Sequence, residues 1–284
     1  MAGGASPLVR GRRLATRLRS LRLAAGRTVE EAAVHLECSA AKVSRIENAV
    51  VGVRIQDARE LLDLYGVAAP VREEVLDLVR QARTRGWWFP YLDVMPPGFD
   101  QVLALEDEAA TISMLETRLV PGLFQTTAYV AELMGSLRDE PPERGERRID
   151  LRMRRQQLLT RSDAPTVALV LDEAVLRRRF CADQAMTEQY RRLFREAQAP
   201  NVSVRVLPLS ARVHQAAGFS FTVFGFADPA DPKLVYEELF SGSVVQESAE
   251  KVGRYTAAFE QAAAAAWSED ESLDRLAELA GERR

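Results

Sequence analysis

The stretch TVEEAAVHLECSAAKVSRIEN, Thr28 to Asn48, holds two helix starts with almost no chain between them. Thr28 with Glu31 three residues on makes a capping box, in which hydroxyl and carboxylate each satisfy a backbone N–H of the other's residue. The helix opened this way, about Val29–Leu36, runs for about two turns before Ser39 can cap another that ends near Asn48. Helices this short do not persist in water alone, so both must be held by packing. Val43 and Ile46 supply one apolar side of the second helix, and Lys42 and Arg45 flank them one turn apart. One face is built for a core and the other for something negative.

The neighbouring chain supplies that core. Leu14, Leu18 and Leu21 follow a helical spacing from Arg12 until Gly26 provides a stop. A helix of about Ile55–Tyr65 lines up Ile55, Ala58, Leu61, Leu62 and Tyr65, and one of about Val71–Arg83 lines up Val71, Val75, Leu76 and Val79. Five short helices over 12–83, the second and third joined by a tight turn, form an all-α helix-turn-helix domain. Residues 1–11, rich in Gly, Ala, Ser and Pro, are expected to form a flexible arm. Residues 84–100 read as an aromatic, Pro/Gly-broken linker, where packing is the first role for Trp87 and Trp88 and base stacking the second.

From 101 to 284 the pattern changes. VLALEDEAATISMLETRLVPGLFQTTAYVAELMG reads as two helices divided at Pro121-Gly122, and an arginine-rich helix follows. Strand-like runs stand at 166–172, 202–208, 219–226 and 234–239, with a helix near Met186–Ala199 and two more at the C-terminal end. Strands among helices, with hairpin-length gaps late on, predict an α+β domain around a mostly antiparallel sheet.

Charge separates the two parts. Residues 1–54 hold ten Lys and Arg against four Asp and Glu, in a chain whose formal charge is -3. A basic end on an acidic body suits contact with a polyanion at that end, or a merely solvated basic surface. No apolar run approaches the length of a membrane span, and MAGGASPLVRGRR has no apolar core behind its cations, so a cytoplasmic location is expected. Cys38 and Cys181 are too few for a disulfide framework or a zinc cluster, and no metal or cofactor is expected. Cys38, in the turn, reads as a structural thiol before a redox sensor.

RLRSLRLAAGRTVEEAAVHLECSAAKVSRIENA resembles the Xre-type, phage-repressor-like helix-turn-helix family in Leu18, Arg22, Gly26, Ala33, Ser39, Val43, Ile46, Glu47 and Asn48. Glu37 departs from it, because the family usually has glycine at the turn; a non-glycine residue there must adopt a left-handed backbone or alter the turn, at a cost of about 1 kcal/mol. Further along, RGWWFPYLD, LEDEA, LVPGLFQTTAYV, RMRRQQLL, LDEAVLRR and VYEE look like an actinobacterial group of such regulators with a large C-terminal domain of undefined activity. The resemblance implies transcriptional control linked to development or secondary metabolism, with a small partner protein encoded nearby.

It also implies roles for residues. A recognition helix enters the major groove N-terminus first while the helix before it crosses the backbone. Ala40 and Ala41 fall at base-reading positions of the family, where alanine permits close approach and can touch a thymine methyl. Lys42, Ser44 and Arg45 supply polar base contacts, with Arg45 able to pair bidentately with guanine; Lys42 can do the same or hold a phosphate. Phosphate candidates are Arg27, Thr28, the Val29 N–H, Ser39 and Arg54, with Arg12 and Arg13 on the arm reaching toward the minor groove. Arg22 and Glu47 match an internal ion pair of the family, a structural role.

The C-terminal domain contains no recognisable catalytic set, and His214 has no metal partner near it in sequence. Asp172 and Glu173 end a strand before a helix, where they cap the helix or meet a ligand. Arg152 and Arg155, on the helix that also carries Arg147, Arg148 and Arg154, pair with the domain's acids or with a partner. The resulting expectation is a non-enzymatic, homodimeric regulator that binds double-stranded DNA at an inverted repeat, with residues 101–284 sensing, dimerising or holding a partner. The alternatives are an antitoxin-like protein that captures a small partner and autoregulates, and an enzyme with an accessory helix-turn-helix.

Overall fold

In the computed structural model, which describes residues 8–82, 86–135, 141–212, 215–228 and 231–282, the chain falls into two units, 1–90 and 91–284. The first holds α1 (Leu8–Ala24), α2 (Val29–His35), α3 (Ala40–Glu47), α4 (Ile55–Leu64) and α5 (Ala69–Ala82). The start of α2 is set by the reciprocal box: the Thr28 hydroxyl accepts from the Glu31 N–H at 3.1 Å, and the Glu31 carboxylate accepts from the Thr28 N–H at 2.8 Å. Ser39 caps α3 through the Lys42 N–H at 3.2 Å. Between them Glu37 stands at φ +49°, in the left-handed conformation.

Val43 and Ile46 fix α3 from beneath. Ile46 enters a cluster with Leu14, Leu18, Leu62, Val75 and Val79, and Val43 enters a second with Ala32, Ala33, Leu61 and Tyr65. Each is essentially inaccessible, and burying an aliphatic side chain of this size is worth about 1.5–3 kcal/mol. The helix therefore cannot roll without exposing one cluster or the other. One expectation is corrected at the N-terminal end. Residues 8–11 belong to α1, so Arg10, Arg12 and Arg13 sit on a helix and not on a trailing arm; residues 1–7 lie outside the described residues.

The second unit contains α6 (Phe99–Glu108), β1 (Ala109–Glu116), α7 (Thr127–Gly135), α8 (Pro142–Arg155), β2 (Thr166–Asp172), α9 (Glu173–Arg177), α10 (Asp183–Glu196), β3 (Val202–Leu207), β4 (Phe221–Phe226), β5 (Leu234–Leu239), β6 (Gly242–Gln246), α11 (Ala249–Ala265) and α12 (Glu269–Ala280). Its six strands form one sheet in the order β3-β2-β1-β4-β5-β6. β1, β2 and β3 run parallel, with helices in the connections, while β1–β4, β4–β5 and β5–β6 are antiparallel. The architecture is thus a helical helix-turn-helix region followed by α+β structure on a mixed, mostly antiparallel sheet.

Two strands differ from expectation. Ala109–Glu116, read as helix, is β1 near the middle of the sheet, and Gly242–Gln246, unassigned, is the edge strand β6. On one face of the sheet Leu115, Val170, Phe221, Val223 and Val235 pack under α11 residues such as Val252 and Ala262. On the opposite face the register sets Met114, Thr222 and Tyr236 side by side, and Glu116, two residues beyond Met114, faces the same way.

Candidate functional site

Burying Val43, Ile46 and Glu47 leaves Ala41, Ser44, Arg45 and Asn48 on the open side of α3, with Ala40 partly covered at its first turn. Ser44 is engaged locally, its carbonyl and hydroxyl both receiving the Asn48 amide, at 2.8 and 3.3 Å. The two cations of this helix are not equivalent. Lys42 Nζ donates to Asp57 Oδ2 in the first turn of α4 at 2.8 Å, so one of its hydrogens is already engaged. Arg45 is exposed and, among the described residues, has no hydrogen-bond or ion-pair partner.

Around α3 the phosphate candidates divide in the same way. Arg54, immediately before α4, is exposed and unpaired among the described residues. Arg27 pairs with Glu31 at 3.3 Å, an exposed contact that competes weakly with any anion. Thr28 and Ser39 each use an oxygen lone pair in capping and retain a hydroxyl hydrogen to donate. Val29, partly covered, opens α2, while Arg12 and Arg13 lie partly buried along α1 and have contacts there.

Beneath this surface Arg22 and Glu47 meet edge-on. Nε and Nη2 donate to the two carboxylate oxygens at 2.7 and 2.9 Å, and Nη1 donates to the Arg27 carbonyl at 2.7 Å. Both side chains are buried. The pair joins the end of α1, the loop before α2 and the last turn of α3, so the pose of the reading helix depends on it. His35 lies 3.5 Å from Glu60 on the surface, and Trp88 is buried, so its ring is not offered to bases.

In the second unit, Asp172 accepts from the Ala174 N–H at 2.8 Å and is a helix cap. Glu173 is buried, accepts from Arg177 and from the Leu209 N–H, and borders a shallow cleft of about 420 Å³ with Ser210, Trp267 and Arg275. Its charged groups are paired, Glu173 with Arg177 and Arg275 with Glu278. His214 lies outside the described residues.

Of the arginines expected to pair with the domain's acids or with a partner, Arg155 pairs with an acid and Arg152 with an amide. Arg155 lies edge-on to Glu106 of α6 at 2.7 and 2.6 Å, both buried, with its guanidinium over the Phe99 ring. Arg152 Nη1 donates to Gln125 Oε1 at 2.7 Å. Gln125 in turn donates to the Val120 carbonyl, Gln156 donates to the carbonyls of Gly122 and Gln125, and Gln189 bridges Phe124 and Thr126. PGLFQT is thereby pinned against RMRRQ by side-chain amides. Gly122 is required there: a Cβ would stand 2.8 Å from Arg155 Nη1 and 2.9 Å from Arg152 Nη1. On α8's other side Arg147 pairs with Asp93 and Arg148 donates to the Val94 carbonyl, fastening the segment before α6. Glu106, Gln125 and Gln189 carried no local signal in the sequence, because their partners lie dozens of residues away.

Among the described residues no helix is long and apolar enough to cross a membrane, and no cluster of His, Cys, Asp and Glu could hold a metal ion. Residues 13–75 match a helix-turn-helix domain family, and residues 99–278 match a family described as a domain of unknown function, DUF5753. No curated protein and no solved structure matches the chain significantly. A helix-turn-helix whose outer face is cationic, followed by a match that spans most of the chain, places this protein in the DUF5753 family, as a member with a DNA-binding type of N-terminal domain.

Proposed function

We propose that the protein is a sequence-specific transcriptional regulator that lays α3 in the major groove of duplex DNA. Arg45 is the base reader, and its free, exposed guanidinium on the open side of α3 is the observation that carries this assignment. Ala40 and Ala41 let the start of the helix approach the bases, and Ser44 adds a polar contact. Lys42, held by Asp57, contributes positive potential and braces α3 against α4. Arg54, Arg27, Thr28, the Val29 N–H and Ser39 hold phosphates; Arg12 and Arg13, on α1, add to the same field.

One helix-turn-helix makes few base contacts, so a cytoplasmic homodimer on an inverted repeat, with half-sites about 34–36 Å apart, gives the required specificity. The second unit then dimerises the protein and senses a signal or a small partner protein. Its role is regulatory and not catalytic, and control of development or secondary metabolism fits this arrangement.

Binding-site selection on random duplexes, followed by gel-shift titration in a salt series, tests the reading. Arg45→Ala should weaken binding to the selected site by about tenfold to a hundredfold and relax preference at one base position, the signature of a lost bidentate contact. Arg54→Ala should weaken all duplexes alike and reduce the salt slope by about one. Equal losses on every sequence for both variants would remove Arg45 from the base-reading role, and a wild-type protein that ignores duplex DNA at low salt would end the proposal.

A further inference from the structure

Three arginines in this chain invite comparison. Arg22 and Arg155 each present the Nε–Nη2 edge of the guanidinium to a glutamate, Glu47 and Glu106, in two parallel hydrogen bonds. That edge is the geometry in which arginine recognises a planar oxyanion. Arg152 uses only Nη1, on the neutral amide of Gln125. Its Nε and Nη2 have no partner among the described residues, and neither is a sealed, unsatisfied atom, so both stay open to solvent.

The surroundings make this edge attractive to an anion. Arg155 Nη1, left over from the Glu106 pairing, and Arg152 Nη1 converge on the same spot at Gly122. Two like charges thus stand together with one glutamate in direct contact between them. Burial and the neighbouring Arg155 push the Arg152 pKa down to about 10, opposed by the more distant Glu238 and Glu106. Arg152 remains cationic at neutral pH but lacks the counter-charge that the other two arginines have.

We propose that the unfilled edge of Arg152, whose Nη1 meets Arg155 Nη1 at Gly122, is the binding site for the oxyanion group, carboxylate or phosphate, of a small-molecule effector. The site is formed where PGLFQT meets RMRRQ, where Gln125 holds Arg152 through Nη1 and leaves its Nε–Nη2 edge unoccupied. The Phe99 ring under the Arg155 guanidinium provides apolar surface next to the charge for the rest of the ligand. Only the word effector rests on the proposed regulatory function; the binding itself is read on the protein without DNA.

The test is thermal unfolding of the full chain in sodium acetate or sodium phosphate, against sodium chloride at equal ionic strength. Either oxyanion should raise Tm along a saturating curve while chloride does not. Acetate acting alone would mark a carboxylate ligand, and phosphate acting alone a phosphorylated one. Arg152→Gln should raise the half-saturating concentration by about tenfold or more, as expected for losing a charge-assisted pair of hydrogen bonds. Without oxyanion the same variant should be at least as stable as wild type, because an uncompensated cation has been removed; a merely structural arginine would give the opposite sign. Arg177→Gln, in the other cleft, should respond like wild type. Line broadening of carbon-13-labelled acetate by the wild-type protein checks binding independently of any variant. An unchanged oxyanion response in Arg152→Gln, or no saturable response in wild type, would overturn the proposal.

Discussion

Glu47→Ala should lower the unfolding free energy of the N-terminal unit by about 3–5 kcal/mol, and its midpoint by more than about 10 °C, in urea and thermal denaturation. The substitution leaves Arg22 buried, with the Arg27 carbonyl as its one remaining hydrogen-bond partner. An unpaired charge in that position keeps its desolvation cost and loses the attraction that offset it. The Glu47 hydrogen bonds hold the Arg22 guanidinium pKa above its usual value, which is the same coupling seen from the proton's side.

The double variant Arg22→Met/Glu47→Met separates charge from packing. Two apolar side chains of similar length remove both charges and fill the space, so most of the lost stability should return. DNA binding should return with it, because Arg45 and the outer face of α3 are untouched. A double variant that folds and still fails to bind DNA would mean that the pair does more than support the helix. A single variant that loses less than about 1 kcal/mol would mean that solvent reaches Arg22 in solution.

What could be read from the sequence depends on the distance between interacting groups. Thr28 with Glu31, and Ser39 with the Lys42 N–H, act over three residues, so the starts of α2 and α3 are visible in the chain itself. At Glu37 the sequence leaves a left-handed backbone or an altered turn open, and φ +49° is the first of these. β1 is not visible in this way. Ile112 and Met114 are buried on one face and Leu115 on the other, so the apolar residues of the strand do not follow the strict alternation that distinguishes a strand from a helix. β6 is a short edge strand beginning at a glycine, with little apolar content to announce it.

The sites follow the same rule. Lys42 and Arg45 look alike in sequence, and only Asp57, fifteen residues on and brought alongside by packing of α3 with α4, distinguishes them. Arg152 and Arg155 belong to a run that reads as pairing with acids or a partner, without saying which. Glu106 and Gln125, 49 and 27 positions away, turn part of that run inward. The residues that decide chemistry here are those whose partners are brought near by tertiary packing, and local spacing has no access to them.

Glu116 should make the second unit less stable as pH rises, by up to about 3 kcal/mol, over a window in which most carboxylates are already ionised. It stands at the end of β1, and burial pushes its pKa up from 4.5 to about 7, against a hydrogen bond from Ser220 and the pull of Arg118. Glu238 on β5 adds to the rise and Arg155 on α8 opposes it. The unfolded chain releases this proton near 4.5 and the folded one near 7, so between those values the folded state binds more protons and stability falls with pH. Below the lower value the carboxyl is neutral in both states and costs nothing; above the upper one the full penalty is present. Asp63 and Asp93 act with the opposite sign: hydrogen bonds from Arg72 and Arg147 hold them below the usual range, so their stabilisation is lost as pH falls. Comparing wild type with Glu116→Gln cancels those contributions. In urea denaturation the two proteins should agree near pH 4.5 and separate steadily to pH 8, with the glutamine variant the more stable. Parallel curves from pH 5 to 8 would mean that the Glu116 carboxylate is solvated after all, and that the sheet face shared with Tyr236 is open to water.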